Sequence, residues 1–311
     1  MENIAIGVDV GGSHISCMGF DLDNQQLLPY TFFESAVDNH AMPDVIINTW
    51  GAIIKQSIEK VGVGNVSGIG FAMPGPFDYL NGISRFNGQN GKYENTYGMN
   101  VRNMLTSFLN YPKNLKIRFI NDATAFALGE DRIGKAKDSK RSLSITLGTG
   151  FGSAFVKNGL PLVKGVEVPE SGCLWHLPFE NGVADDYFST RGLLDRFEKK
   201  TGNKCYGVKD IVALCSSNPE AKALFEDFGK KMGLFLHPWI EKSKIETLVL
   251  GGNISRSYHL FGNSLQNYFN DNNLNIKVAV SELRENAAFI GSAVLIDDAF
   301  YERVLPVLEH M

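Results

Sequence analysis

One pattern occurs twice in this chain and limits its fold more than any other feature: an apolar strand, a turn containing glycines, and an apolar strand running back. The first copy is "NIAIGVDVGGSHISCMGFDL", residues 3–22, and the second is "RSLSITLGTGFGSAFVKNG", residues 141–159. Ile4, Ile6 and Val8 alternate at period two ahead of Gly11-Gly12, and Ile15 to Phe20 return, as an antiparallel pair requires. The copies agree in plan and only loosely in sequence, which predicts two related halves, each opening with a glycine hairpin. Around them the chain alternates strands and helices. "QQLLPYTFFES" reads as a third antiparallel strand. Residues 43–60 space Val45, Ile46, Ile53, Ile54 and Ile58 as an amphipathic helix opened by Pro43. "VSGIGFAMPGP" is a strand ending in a Pro/Gly turn, residues 77–97 form a long Gly- and Asn-rich loop, 99–109 a helix and 115–120 a strand. Later, 208–241 read as helices, "IETLVLGGNISRS" as strand, turn and helix start, "NIKVAVSEL" as a strand and 286–308 as largely helical. The expected class is α/β with mixed sheets in two lobes.

The length of 311 residues and an apolar fraction of 44% suit one large or two ordinary domains. A net charge of −4 without any Lys/Arg-rich run argues against a nucleic-acid partner. The four cysteines, at 17, 173, 205 and 215, make no CxxC pair and too few bridges for a disulfide framework, which points to a reducing cytoplasm. "MENIAIGVDV" is not a signal peptide, and no apolar run approaches the ~20 residues of a membrane helix. A cytoplasmic globular protein is expected.

Three glycine turns and one carboxylate pair carry the candidate chemistry. In "DVGGSH", Gly11 and Gly12 let backbone N–H groups approach an anion, Ser13 adds a hydroxyl, and Asp9 can hold a cation or its water shell. Gly148, Thr149 and Gly150 of "LGTGFG" form a second such turn, without the Lys of a P-loop and without the dinucleotide spacing. Gly251, Gly252 and Asn253 of "LGGNIS" lie between a strand and a helix, where ligands approach strand ends. Each turn alone is equally an ordinary tight turn. In "IRFINDATAFALGE" an apolar strand ends at Asn121-Asp122 and a helix follows at once. Asp122 is either that helix's cap or a base for catalysis.

Taken together, "GVDVGGSH", "NDATAFALGE", "TLGTGFGSAFVKNG" and "VLGGNIS" resemble the ROK family of bacterial sugar kinases and related repressors, over about residues 4–295. The resemblance implies a two-lobed actin-like ATPase (ribonuclease H-like) fold. One lobe would span 1–120, with helix 296–311 a candidate to cross back to it, and the other 121–295. It implies that Asp9, Gly11, Gly12, Ser13, Gly148, Thr149 and Gly150 grip ATP phosphates, with Mg²⁺ near Asp9, and that Gly251, Gly252 and Asn253 meet the adenosine. Asn121 becomes a sugar ligand and Asp122 the general base, kept ionised by the helix N-terminus. Base assistance of this kind is worth roughly 10²–10⁴-fold.

The resemblance also implies a sugar loop in "AMPGPFDYLNGISRFNGQNGKY", where Gly75 admits a close backbone approach and Asn87 bonds a hydroxyl, unless Asn87 is only a turn residue. The rim beyond it, "GQNGKYENTYG", lacks the family's usual Trp. "VPESGCLWHLPFENGVADDYFSTRGLL" departs further: Glu170 remains as a sugar ligand, but Cys173 stands at the usual His, and no cysteine module follows. No structural zinc is therefore expected. His176 either reaches in for the missing His or is a half-buried residue packed by Trp175 and Pro178. Asp185 falls where the module's Glu would sit and is a further candidate for the sugar. The expected activity is ATP-dependent phosphorylation of a hexose or hexosamine, at carbon 6. A sugar-responsive regulator and a polyphosphate-dependent glucokinase are the alternatives, and the family's frequent homodimer is carried as an expectation.

Overall fold

The computed structural model describes residues 3–88, 91–111 and 115–311. The chain packs as two units, residues 1–133 with 285–311, and residues 134–284. Elements are numbered along the chain.

The first unit is built on strands β1 (Ile4–Val10), β2 (His14–Asp21), β3 (Gln26–Ala36), β4 (Val66–Met73) and β7 (Lys116–Asn121), in the order β3-β2-β1-β4-β7. The hairpin strands β1, β2 and β3 pair antiparallel, and β4 and β7 join parallel. β1 is the central strand, and Ile4 to Val8 are all buried, so it reads as a continuous apolar run beneath the alternation. Helix α1 (Pro43–Val61) covers one face through Ile46, Trp50, Ile53, Ile54 and Ile58. Helix α9 (Asn286–Ala293) covers the other. It comes so close that Gly7 and Gly70 face the backbone carbonyls of Phe289 and Ser292, where any Cβ would clash. Helix α3 (Asp122–Arg132) crosses α9 in the same manner, Gly129 against Ala287 and Gly291 against Ala125. That crossing draws α3 into the first unit, so the division falls after Ile133 rather than near the expected residue 120. The last helix, α10 (Asp298–Leu308), also belongs to this unit. Arg118 of β7 donates to the Leu295 carbonyl and to Asp298 Oδ1, 2.6 Å each, and lies 3.8 Å over the Tyr301 ring. Helix α2 (Val101–Leu109) and a short hairpin of β5 (Phe77–Asp78) and β6 (Ile83–Ser84) complete it.

The second unit repeats the plan. Its sheet runs β10 (Leu160–Pro161), β9 (Phe151–Lys157), β8 (Arg141–Leu147), β13 (Thr247–Gly251), β14 (Lys277–Val280). β8, β9 and β10 pair antiparallel, and β13 and β14 join parallel. The doubled glycine hairpin thus marks a doubled sheet. The core gathers Phe151, Phe179, Phe188, Phe228 and Phe235, with ring centroids 5.2–6.0 Å apart for the contacting pairs. Helices α4 (Ala184–Phe188), α5 (Thr190–Thr201), α6 (Val208–Leu214), α7 (Pro219–Ser243) and α8 (Tyr258–Asp271), with the two-residue strands β11 (Pro178–Phe179) and β12 (Gly182–Val183), surround it.

Several elements depart from the sequence expectation. The long loop at 77–97 contains β5, β6 and a 3₁₀ turn at Glu94–Thr96. Its Gln89 and Asn90, part of the expected sugar rim, lie outside the described residues. α5 was not anticipated because it buries only Gly192, Leu193 and Phe197, too few to show a helical period. Among the described residues, no helix is long and apolar enough to cross a membrane.

Candidate functional site

In the first unit the two carboxylates come from strands one apart in the sheet. Asp9 is the last residue but one of β1, Asp122 follows directly on β7, and β4 lies between the two strands. The residue that caps α3 is Asn121. Its Oδ1 accepts the Thr124 N–H at 3.1 Å and the Thr124 hydroxyl at 3.3 Å, which satisfies helix-end donors. Its Nδ2 donates to the Tyr79 hydroxyl at 3.3 Å and to Asp122 Oδ1 at 3.0 Å. Asp122 is the first residue of the helix, and its Oδ1 also accepts the Ala123 N–H at 2.8 Å. Asn121 is thus the N-cap of α3, while Asp122 Oδ1 accepts from both the Ala123 N–H and the Asn121 amide.

Burial raises the Asp122 pKa above the ordinary carboxylate value. The Ala123 N–H, the Lys92 ammonium, its own N–H and Asn121 pull it back without cancelling the rise. The expected pull of the helix terminus toward the ionised form is thus opposed by desolvation, which is the larger effect on its pKa. Asp9 is pushed up from 3.8 to about 7, first by burial and then by the carboxylates of Asp122 and Glu285.

The first glycine turn is closed by the Gly11 N–H donating to the His14 carbonyl at 2.9 Å, and the exposed Ser13 hydroxyl lies 2.9 Å from His14 Nδ1. Tyr93 donates its hydroxyl to the Gly11 carbonyl at 2.7 Å, and the Asn39 side chain donates to the Gly12 carbonyl. Gly75 stands beside Tyr79, where a Cβ would lie 3.4 Å from the hydroxyl, and the same hydroxyl donates to the Met73 carbonyl at 3.2 Å. Gly75, Tyr79, Asn121 and Asp122 are therefore linked, while Asn87 is exposed on its loop.

In the second unit, the second glycine turn and the Gly251-Gly252 turn are adjacent. Gly251 pairs with Thr146, and Gly252, at φ +78°, rests on the backbone of Leu147, which leaves no room for a Cβ. Gly148 donates to the Gly150 carbonyl at 3.1 Å, and its own carbonyl accepts both the Thr190 N–H at 2.8 Å and the Thr190 hydroxyl at 2.9 Å. Thr149, Gly150, Gly252 and Asn253 remain exposed. Asp185 sits behind this turn. Its Oδ1 accepts the Phe151 N–H at 2.7 Å and its Oδ2 accepts from Arg191 at 3.1 Å, so both oxygens already shape the hairpin.

Glu170 is exposed at the start of a short 3₁₀ turn. His176 is half-buried, edge-on to Trp175 at 5.3 Å, with Nδ1 3.7 Å from Cys173 Sγ. Burial raises the Cys173 pKa, which favours the thiol over the metal-binding thiolate. Among the described residues, no group of three or more His, Cys, Asp or Glu side chains is placed to hold a metal ion.

Four further residues take part that the sequence reading passed over: Tyr79, Lys92, Tyr93 and Glu285. Lys92 and Tyr93 stand inside "GQNGKYENTYG", where an aromatic beside a cation in a glycine-rich loop was the available signal. Their partners lie up to 82 residues away, and no local pattern encodes that distance.

The family model described as "ROK family" matches residues 5–299. The chain is 27% identical to the glucokinase of Thermotoga maritima over 94% of this chain and 97% of that protein. It is 23% identical to the xylose repressor of Bacillus spizizenii, over 96% of this chain and 78% of the repressor. Among solved structures, the ROK hexokinase of Thermus thermophilus superposes with a TM-score of 0.79 at 19% identity, covering 96% of this chain and 99% of that one. The fold is the α/β actin-like ATPase fold.

Proposed function

The chain belongs to the ROK family, and from that premise we propose that it is a sugar kinase, transferring the γ-phosphoryl group of ATP to carbon 6 of a hexose or hexosamine. The observation that carries this reading is the division of labour at the start of α3. Asn121 caps the helix, and Asp122 is left as a half-buried carboxylate of raised basicity.

In the reaction, the sugar hydroxyl oxygen attacks the γ-phosphorus, its proton passes to an Asp122 oxygen, and the bond from that phosphorus to the departing ADP oxygen breaks. A raised pKa suits a base that must take the proton at neutral pH. Asn121 and Asn87 supply amide partners for sugar hydroxyls, and Gly75 a close backbone approach. Glu170 and His176 are the further sugar candidates. Asp185 is a weaker one, since both of its oxygens are engaged. The hairpin turns at Gly11-Gly12-Ser13 and Gly148-Thr149-Gly150 grip phosphates, and Gly251-Gly252-Asn253 receives the adenosine.

The region of Asp9 fits a divalent cation. Its carboxyl is pushed up to about 7 partly by the carboxylates of Asp122 and Glu285, a crowding of negative charge that a cation relieves. Mg²⁺ is held through one or two carboxylates, waters and substrate phosphates rather than by a full protein cage. When bound, Mg²⁺ would neutralise the phosphate charge.

The test is a screen of hexoses and aminosugars with ATP or polyphosphate as donor, reading ADP or phosphorylated sugar. Asp122→Asn should lower turnover by roughly 10²–10⁴-fold while hexose binding, followed by calorimetry, is largely kept. Near-normal turnover in that variant defeats the assignment of the base. The repressor relative supports a second reading, a sugar-responsive regulator. Sugar-dependent retention of promoter DNA in a gel shift, with no turnover of any sugar, would favour it.

A further inference from the structure

The site in the first unit is rich in acid. The carboxylates of Asp122 and Glu285 both act on Asp9, yet the substrate the kinase reading requires is a polyanion. Lys92 brings a positive charge that acts on Asp122. It lies over the first glycine turn: a Cβ built on Gly12 would be 2.6 Å from Lys92 Cε and 2.9 Å from its Nζ. The lysine stem thus fills the space that a side chain at position 12 would take, and its ammonium lies beside the backbone that grips phosphate.

Lys92 is held there by its neighbour. The Tyr93 ring is buried, edge-on to Trp50 at 5.3 Å and tilted against Phe86 at 5.7 Å. The Tyr93 hydroxyl donates to the Gly11 carbonyl at 2.7 Å, and its N–H donates to the Asn39 carbonyl at 3.0 Å. The Asn39 side chain returns to the Gly12 carbonyl. The turn and Tyr93 are therefore fixed to each other, which keeps the backbone of Lys92 beside the turn.

We propose that Lys92 is a phosphate-binding residue of this protein, its ammonium contacting the phosphoryl group gripped at the Gly11-Gly12-Ser13 turn. The inference rests on the kinase reading for its role in turnover but not for binding itself. A charged donor to phosphate forms one of the stronger polar contacts available to a side chain.

The test uses tripolyphosphate as the probe, titrated into the full chain by calorimetry. Lys92→Met should weaken its binding by about 10–100-fold, whereas Lys92→Arg, which keeps the charge, should remain within about 3-fold. With ATP and an accepted hexose, Lys92→Met should lower kcat or raise the KM for ATP by a similar factor, with the KM for hexose unchanged. Matching thermal midpoints for the wild type and both variants show that the fold is intact. Equal tripolyphosphate binding by wild type and Lys92→Met overturns the proposal, as does failure of the wild type to bind it. A wild type that binds tripolyphosphate but phosphorylates no sugar defeats the kinase reading, while the binding comparison still decides Lys92.

Discussion

Asn121 and Asp122 are adjacent and do different work. A carboxylate at the start of a helix serves equally well on paper as a cap or as a base, and the sequence leaves both open. The 3.1 Å bond from the Thr124 N–H makes Asn121 the cap, and the base role of Asp122 is the proposal that the turnover of Asp122→Asn tests. The same neighbourhood makes Asp9 a test of charge. Its carboxyl rises from 3.8 to about 7, so the folded chain holds that proton more tightly than the unfolded one. A raised acid adds stability that is complete below its ordinary value, declines as pH rises through about 7, and is gone above. Asp9→Asn should therefore gain on the wild type as pH rises from 5 to 8, by about 2–4 kcal/mol, read from urea unfolding at both pH values. A pH-independent difference would show that the Asp9 carboxyl is not raised in the folded chain. The glycine turns and the Asn-Asp pair were legible because their residue types are local signatures. Lys92, Tyr93 and Glu285 were not, since each acts on a group far away in sequence.

At the level of elements, the informative contact is the crossing of α3 on α9. Gly129 and Gly291 let the two backbones meet, and α3 carries Asp122 at its first residue. Gly291→Val should force the helices apart at a cost of about 2–3 kcal/mol, visible as a lower urea midpoint, and should also reduce turnover by displacing Asp122. A midpoint within the range of surface substitutions would mean that the helices do not meet there. The sequence showed both hairpins and the strands after them, because period two and glycine turns survive without tertiary context. It did not show α5, whose few apolar residues make no helical stripe, nor the two-residue strands, whose pairing is set by the loops around them. Nor did it show that α3 belongs with the first unit, because small residues at a crossing look like ordinary helix formers.

On the scale of the whole molecule, the two sheets share one strand plan, as the repeated hairpin implied. The last helices complete the first unit, and Arg118 fastens them by two 2.6 Å bonds and by stacking on Tyr301. Arg118→Met should cost about 1.5–3 kcal/mol and expose residues 297–311 to early proteolysis. An unchanged unfolding midpoint with an uncut tail would contradict that fastening. The order of synthesis gives this closure a further meaning. As the chain leaves the ribosome, the strands made first wait with one apolar face bare until α9, some 280 residues later, arrives to cover Gly7 and Gly70. Residues 134–284 are continuous and can fold while that face is still open. The first unit thus closes only after residues 134–284 have been made, and chaperone capture during translation should fall on that uncovered face.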